Sequence, residues 1–180
     1  MKALVIYESM YGNTHLIASA IGDGLRAYGD VTVASVGDAG VDAAREVDLV
    51  VVGGPTHAHG MTRAATRNGA VAAAEKPDAD LVLDADPDAY GLGLREWFDA
   101  QDDLFTSAAA FDTRFDMPAT FTGRASKGIA RRLRRHGATV IAEPESFFVT
   151  KANHLEPHEE ERARDWGARL GASLGTRVAG

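Results

Sequence analysis

Short apolar runs and helical repeats alternate along the 180-residue chain. Residues 3–7 and 47–52 are almost continuously apolar, which is typical of parallel strands that are buried on both faces. Residues 14–28 instead repeat apolar side chains at the spacing of one helix face. Residues 31–36 alternate between apolar and polar side chains, as a strand does. The first third of the chain therefore predicts three strands, with a helix between the first two.

The same alternation continues to the end of the chain. Glycine and proline mark two boundaries there, because Gly favours helix C-caps and Pro interrupts strands. The further predicted elements are a helix around residues 94–98, a strand at 108–111, a helix from 125 that ends at Gly137, a last strand at 138–142 and 147–149 with a break at Pro144, and a final helix at about 157–174.

Five strands interleaved with helices predict an α/β fold, a doubly wound parallel sheet in a single domain over residues 1–180. Residues 61–92 form an insertion after the third strand. Within it, residues 66–75 could be helical, whereas 76–90 contain two prolines and five Asp and are predicted to be an exposed loop. Loops of this length in compact domains are usually functional or mobile.

Composition excludes several kinds of site. The chain has no cysteine, which excludes disulfides, thiol catalysis, zinc–thiolate sites and iron–sulfur clusters. Its net charge of −7 argues against nucleic acid as a ligand. The longest apolar run is far shorter than the roughly 20 residues of a membrane helix. We interpret the apolar N-terminus as a strand rather than a signal peptide, and we expect a cytoplasmic protein without a membrane span.

Charge is distributed unevenly along the chain. Residues 75–103 contain ten acidic and two basic residues and carry −8, whereas the rest of the chain carries +1. Residues 124–136 contain six Lys or Arg and no acidic residue. The exposed side of this basic helix is either a solvated surface or a docking site for an acidic partner or a dinucleotide phosphate.

A polar segment follows the first predicted strand and leads directly into the first helix. Its hydroxyl groups, the tight turn that Gly12 permits and the unpaired N–H groups of the helix start would form a phosphate cradle without a lysine. The segment lacks the Walker A lysine and two of the three glycines of the dinucleotide fingerprint. Helix capping by Asn13 or Ser9 would give the same pattern. The candidate phosphate-binding residues are Ser9, Met10, Tyr11, Gly12, Asn13 and Thr14.

Two further loops are candidate ligand-binding loops, because ligands of open parallel sheets bind outside the carboxyl ends of the strands. The loop after the third strand contains His57 and His59, which could be a metal pair, although no carboxylate lies at ligand spacing. In the loop after the fourth strand, Arg114 could simply pair with Asp112 or Asp116. The candidate residues of these loops are Pro55, Thr56, His57, Ala58 and His59, followed by Asp112, Thr113, Arg114 and Phe115.

The first loop resembles the flavin-phosphate motif of the flavodoxin family, Thr/Ser-x-Thr-Gly-x-Thr, with Ser9, Gly12 and Thr14 in place. Tyr11 departs from the usual central threonine, and the variant Ser-x-Tyr-Gly is similar to FMN-dependent quinone reductases of the same fold. The resemblance covers nearly the whole chain in element order. It implies bound FMN and a five-stranded sheet with strand order 2-1-3-4-5. Because no carboxylate lies at ligand spacing from the two histidines, we expect no metal site.

The resemblance also assigns roles to the other two loops. It implies that residues 55–59 run along the flavin ring near N5. Asp112 would accept a hydrogen bond from N3–H of the ring, Arg114 would lie near N1 and O2, and Phe115 would cap the ring. His57 or His59 would be the catalytic proton donor in a quinone reductase.

These features predict an FMN-binding flavoprotein that carries electrons between redox partners, with the acidic stretch as a docking rim for a basic protein partner. The alternative is an FMN-dependent NAD(P)H:quinone oxidoreductase or related oxidase, whose partners would be NAD(P)H and a small quinone. A second alternative is a binding module that uses the flavodoxin scaffold without a cofactor, because fold does not fix function.

Overall fold

The strands alternate with helices over the residues that the structure, a computed structural model, describes: 1–40, 42–57, 59–76, 81–84, 91–104 and 106–178. The strands are β1 Lys2–Tyr7, β2 Asp30–Ser35, β3 Leu49–His57, β4 Gly60–Met61, β5 Ser107–Phe115, β6 Thr139–Val140 and β7 Glu145–Val149. The helices are α1 Asn13–Leu25, α2 Ala64–Ala74, α3 Leu94–Asp99, α4 Ala119–Thr122, α5 Ala125–Arg135 and α6 Glu159–Val178, with single 3₁₀ turns at Arg26–Tyr28 and Ala43–Arg45.

All strands belong to one sheet, which is parallel except for β4. The order is β2-β1-β3-β5, and β6 and β7 both pair with the free side of β5. The predicted doubly wound parallel sheet and its order 2-1-3-4-5 are confirmed, because β5 is the predicted fourth strand and β6 and β7 are two pieces of the fifth. Pro144 lies in the gap between these pieces, as predicted. The short antiparallel hairpin of β3 and β4 was not predicted.

Each face of the sheet buries its own hydrophobic core. Along β1, Leu4 and Ile6 pack on one face and Ala3 and Val5 on the other, as the alternation of a strand requires. The first core is closed by α3 and α5 and contains Trp97, Phe98, Ile129 and Leu133. The second is closed by α1 and α6 and contains Ile17, Ile21, Phe111, Phe147, Trp166 and Leu170.

Helices α1 and α6 approach each other closely through glycines. A Cβ atom at Gly167 would lie 2.3 Å from the carbonyl oxygen of Ile21, and one at Gly171 would lie 2.4 Å from the ring of Tyr28. A side chain at Gly167 would require the backbone of α1 to move, and one at Gly171 would require the ring of Tyr28 to move. These two glycines of α6 therefore serve its packing against α1 and the turn that follows α1.

Side chains hold the gap between β6 and β7 and also the free edge of β7. Arg124 donates hydrogen bonds to the carbonyl of Pro144 and, at 3.1 Å, to the hydroxyl of Ser146. Arg162 donates to the carbonyl of Ser146 at 2.5 Å. The N–H of Phe148 donates to Glu159 Oε2 at 2.8 Å. The outward-facing polar groups of this edge are thus held by side chains of the same chain.

Two strands run further than their apolar cores indicate. The prediction that residues 112–115 form a loop after the fourth strand is wrong, because they are the last four residues of β5 and pair with β7. In the same way, β3 continues past the predicted apolar run of residues 47–52 as far as His57, and residues 54–55 pair with β5. These extensions carry the candidate site residues on strands rather than on loops.

The insertion contains the expected helix, which is α2. Residues 81–84 have no regular secondary structure, and residues 77–80 and 85–90 lie outside the described residues. Within the described ranges, no helix is both long enough and apolar enough to cross a membrane.

Candidate functional site

A pocket of about 280 Å³ opens where the parallel strands end, and we call it the strand-end pocket. Ten of its lining residues were predicted from the sequence: Met10, Tyr11, Asn13, Thr14, Pro55, Thr56, His57, Thr113, Arg114 and Phe115. Four were not predicted: Leu81, Val149, Lys151 and Asn153.

The start of α1 forms one wall of this pocket. Gly12 precedes the helix with a φ of 87°, a left-handed conformation that glycine adopts without strain. Its N–H donates to the hydroxyl of Ser9 at 3.1 Å, so Ser9 closes the turn. In the described part of the chain, no N-cap side chain bonds to the first turn of α1, and that turn contains no acidic residue. Its first N–H groups thus remain for a ligand, with their partial positive charge.

Two polar contacts tie this wall to the neighbouring strands. The amide of Asn13 donates to the carbonyl of Asn153 at 2.9 Å and to its side-chain oxygen at 3.1 Å. The hydroxyls of Thr14 and Thr113 are hydrogen-bonded at 2.8 Å and are both buried. The ends of β5 and β7 therefore hold the start of α1 in place. Capping of α1 by Asn13 is not found, because its side chain turns to Asn153.

The insertion reaches the same wall. The N–H of Asp84 donates to the carbonyl of Met10 at 2.9 Å, and its carboxylate lies 3.4 Å from the ring of His15. Leu81 lines the strand-end pocket, and Leu83 packs against Met10. This part of the insertion is thus a wall of the pocket rather than a free loop.

The end of β3 forms the second wall. The hydroxyl of Thr56 accepts a hydrogen bond from the N–H of Ala125 at 2.9 Å, which fixes the start of α5. Burial lowers the pKa of His57 below its ordinary 6.5, and the negative charge of Glu8 opposes this shift. Glu8 itself is buried and accepts from the hydroxyl of Thr62 and, at 2.9 Å, from the N–H of Leu94. A neutral imidazole is therefore favoured at His57 near pH 7.

The two histidines of the second loop do not lie together. His57 lines the strand-end pocket, whereas His59, with a φ of 70°, pairs with Gly123 and lines a different pocket. Within the described residues, no group of three or more His, Asp or Glu side chains could hold a metal ion. Ala58 lies outside the described residues.

The four residues at the end of β5 divide between the pocket and the protein interior. Asp112 is fully buried, does not line the pocket, and accepts from the N–H of Ser126 at 2.7 Å in the first turn of α5. Arg114 donates to the carbonyls of Phe115 and Met117 at 3.1 and 2.6 Å. Among the described residues, it pairs with neither of the two aspartates that the sequence offered. Phe115 is 46% exposed at the rim.

Sequence reasoning missed the pocket residues at the end of β7 and just after it. Val149, Lys151 and Asn153 line the pocket because the carboxyl ends of all parallel strands meet at one edge of the sheet. The sequence analysis considered the ends of the first, third and fourth strands only. The same rule for the fifth strand predicts that residues 149–153 also face the pocket. For Leu81, the sequence offers no such signal.

The fold and the sequence of the N-terminal part both point to one family. The profile of the family described as "Flavodoxin domain" matches residues 4–67, which extend from β1 into α2. A flavodoxin from the domain Archaea superimposes with a TM-score of 0.66 and 21% identity, over 97% of this chain and 99% of that one. The fold is flavodoxin-like. The predicted resemblance is thereby confirmed.

Other solved structures share the fold, and one of them is a much longer chain. The flavodiiron protein from Giardia intestinalis gives a TM-score of 0.62 at 20% identity, over 97% of this chain and 36% of that one. A WrbA-like flavodoxin from Agrobacterium tumefaciens gives 0.58 at 18% identity, over 97% and 98%. No curated protein sequence matches this flavodoxin-like chain significantly. At these identities, the structural likeness establishes the fold alone.

Proposed function

We propose that the strand-end pocket binds FMN and that the chain carries electrons between redox partners. The observation that carries this proposal is the start of α1, where Gly12 turns the chain and the first N–H groups are left without a side-chain cap. A helix N-terminus of this kind suits a phosphate, because its N–H groups converge and carry partial positive charge. The buried hydroxyl of Thr14 is bonded to that of Thr113, and when Thr113 donates in this bond, Thr14 can donate to a phosphate at the same place.

The remaining walls suit the flavin ring. Pro55, Val149 and Phe115 offer apolar surface, and Thr56 and Thr113 offer polar groups between them. Arg114 and Lys151 bring positive charge to the lining, which favours an anionic cofactor. When bound, FMN supplies the redox chemistry, while the protein binds it, orients it and limits its contact with water.

Electrons would enter and leave at the pocket rim. Phe115 is 46% exposed there, and Met117 and Phe121, in the segment that follows it in the chain, are 44% and 69% exposed. A redox partner or a small quinone could contact these side chains. The acidic stretch contributes less charge than its composition indicates. Of its described members, Asp99 pairs with Arg132 and Asp102 with Arg45. We further propose that this electron carrier is a soluble cytoplasmic protein.

The test begins with the cofactor that purifies with the protein. The bound flavin is released by denaturation and identified by chromatography and mass spectrometry, and the apoprotein is then titrated with FMN and with riboflavin. FMN should bind at least about tenfold more tightly, because only FMN engages the phosphate cradle. An apoprotein that binds neither flavin would overturn the proposal and favour a cofactor-free binding module.

A second candidate function is an FMN-dependent NAD(P)H:quinone oxidoreductase. His57 favours it, because a largely neutral imidazole in the strand-end pocket can exchange a proton with a quinone oxygen near pH 7. Steady-state oxidation of NADPH in the presence of benzoquinone distinguishes the two. If the wild type turns over and His57→Gln, with FMN still bound, turns over more slowly, the result supports the enzyme. If the wild type shows no turnover, the result supports the carrier.

A further inference from the structure

A second pocket, of about 510 Å³, lies beside the hairpin of β3 and β4. Its walls come from that hairpin, from α3, and from α4 and α5 with the residue between them. We call it the arginine pocket, because six cationic side chains line it: Arg95, Arg124, Lys127, Arg131, Arg132 and Arg135. None of its described lining residues is acidic.

Most of this positive charge is not neutralised within the described residues. Arg132 alone among the six forms an ion pair there, with Asp99 at 3.0 Å. Arg95 donates to the carbonyls of Met61 and Thr62, at 3.1 and 2.7 Å, which fixes its guanidinium without cancelling its charge. Arg124 is held in the same way by uncharged groups. The pocket therefore concentrates positive charge on a concave surface, and a cleft of one sign raises the local concentration of counter-ions.

The arrangement on α5 is unfavourable without a ligand. Lys127, Arg131 and Arg135 are exposed and recur every four residues along one helix face, where like charges repel. The crowding extends to α3: burial lowers the pKa of Arg95, and the charges of Arg132 and Arg63 lower it further. A solvated helix face would explain the cations on α5, but not the convergence of Arg95 and Arg124 on them.

The floor of the pocket is kept open by a glycine. Gly128 lies on α5 between two of the cationic side chains, and a Cβ atom there would lie 3.6 Å from the sulfur of Met61. Helix interiors disfavour glycine, and here its lack of a side chain leaves room between α5 and the hairpin. Both the shape and the charge of the pocket thus suit a small anion.

We propose that the arginine pocket binds a small organic anion through its phosphate groups. Arginine forks bind phosphate oxygens in pairs, and several of them can hold one doubly charged group. The hairpin that carries His57 into the strand-end pocket carries His59 into the arginine pocket. A dinucleotide such as NADPH could therefore place its phosphates here, and pyrophosphate is the minimal probe of the same chemistry. This site stands independently of the proposal that FMN binds in the strand-end pocket.

The test is calorimetric titration of the purified protein, as isolated, with sodium pyrophosphate, NADPH and NADH at constant low ionic strength. The variant Arg131→Ala/Arg135→Ala removes two pocket cations. The matched control Arg134→Ala/Arg169→Ala removes two exposed arginines that do not line the pocket. The pocket variant should bind pyrophosphate at least about tenfold more weakly, and the control should stay within about twofold of the wild type.

Circular dichroism and thermal unfolding of all three proteins check that the variants fold. Tighter binding of NADPH than of NADH and pyrophosphate identifies the source as a phosphorylated dinucleotide, whereas equal binding identifies a simple phosphate site. The proposal is overturned if none of the three probes binds at millimolar concentration, or if the control loses as much affinity as the pocket variant. Flavin release does not enter this measurement, so a failure here leaves the FMN proposal standing.

Discussion

The two pockets share one hairpin but are built by different means. The strand-end pocket is lined by strand ends and by a helix start whose polar groups bind one another, as Thr14 and Thr113 do. The arginine pocket is lined by six long cationic side chains, and five of them have no ion-pair partner among the described residues. Backbone and short side chains fix shape, whereas long cationic side chains supply charge with adaptable geometry. The first construction suits a retained cofactor, and the second suits a ligand that exchanges.

Gly123→Ala should disturb both pockets and have the largest effect. Gly123 has a φ of 74°, and a Cβ atom there would lie 2.2 Å from the carbonyl oxygen of His59. The backbone fixes the position of the new Cβ atom, and the carbonyl it meets is itself backbone, so the contact cannot be relieved by a rotamer change. We therefore expect a loss of about 2–4 kcal/mol in the free energy of unfolding. Urea denaturation measures it. Gly60→Ala, next to His59 in the hairpin of β3 and β4, is the control, since nothing lies within 4 Å of its Cβ position. Equal stabilities of the two variants would contradict the close contact.

Thr14→Ala should weaken ligand binding in the strand-end pocket and leave binding in the arginine pocket unchanged. It removes a hydroxyl at the proposed phosphate cradle, and a hydrogen bond to a charged group contributes about 1.5–3 kcal/mol. FMN should therefore bind about 10- to 100-fold more weakly to the apoprotein, with riboflavin affinity and pyrophosphate affinity unchanged. Thr32→Ala, at an exposed position of β2, is the matched control. Unchanged FMN affinity in Thr14→Ala would count against the cradle.

The pH dependence of stability should report on the strand-end pocket through His57. Burial lowers the pKa of His57 in the folded protein below 6.5, so the unfolded chain takes up this proton first as the pH falls. Protonation thus favours the unfolded state between pH 6.5 and the lower folded pKa. His57→Gln should reduce the loss of stability between pH 7.5 and pH 5.5. An NMR titration gives the pKa directly, and Glu8→Gln should lower it further, because the Glu8 charge raises it. A folded pKa at or above 6.5 would refute the burial argument.

Gly128→Ala should have the smallest effect and act on the arginine pocket alone. The added methyl group would meet Met61 at an ordinary contact distance, and alanine is favoured over glycine in helices by up to about 1 kcal/mol. We expect a slight rise in the midpoint of thermal unfolding. Gly69→Ala in α2 gives the same gain of helix propensity with nothing within 4 Å of the new atom. A clear destabilisation by Gly128→Ala alone would show that the pocket floor cannot accept a methyl group.

The order of strands and helices could be predicted from the sequence, because strands buried on both faces stand out as apolar runs. The strand ends could not, because polar residues such as Asp112 extend β5 through hydrogen bonds to neighbouring strands rather than through burial of apolar surface. The acceptor role of Asp112 toward Ser126 depends on where α5 begins in space. No spacing along the chain records that distance.

The candidate site shows the same division. The segment that we propose binds phosphate could be predicted to line a pocket because its residues are contiguous and adjoin a predicted helix start. Asn153 was missed because its contact with Asn13 joins distant parts of the chain. The arginine pocket was visible only as a basic helix, since Arg95 comes from a segment whose overall charge is strongly acidic. The net charge of a sequence segment therefore does not show that one of its cations, Arg95, lies beside the cations of α5 in the folded protein.

The closed gap between β6 and β7 has a consequence for how copies of this chain meet. An open sheet edge is a template on which a strand from another molecule can grow. At β7 the carbonyl of Ser146 is taken by Arg162, and the N–H and carbonyl of Phe148 are taken by Glu159 and by the N–H of Glu156. The groups that would guide an incoming strand are thus occupied by the molecule's own groups. Even in a crowded solution, this edge resists the strand-by-strand aggregation to which exposed sheets are prone.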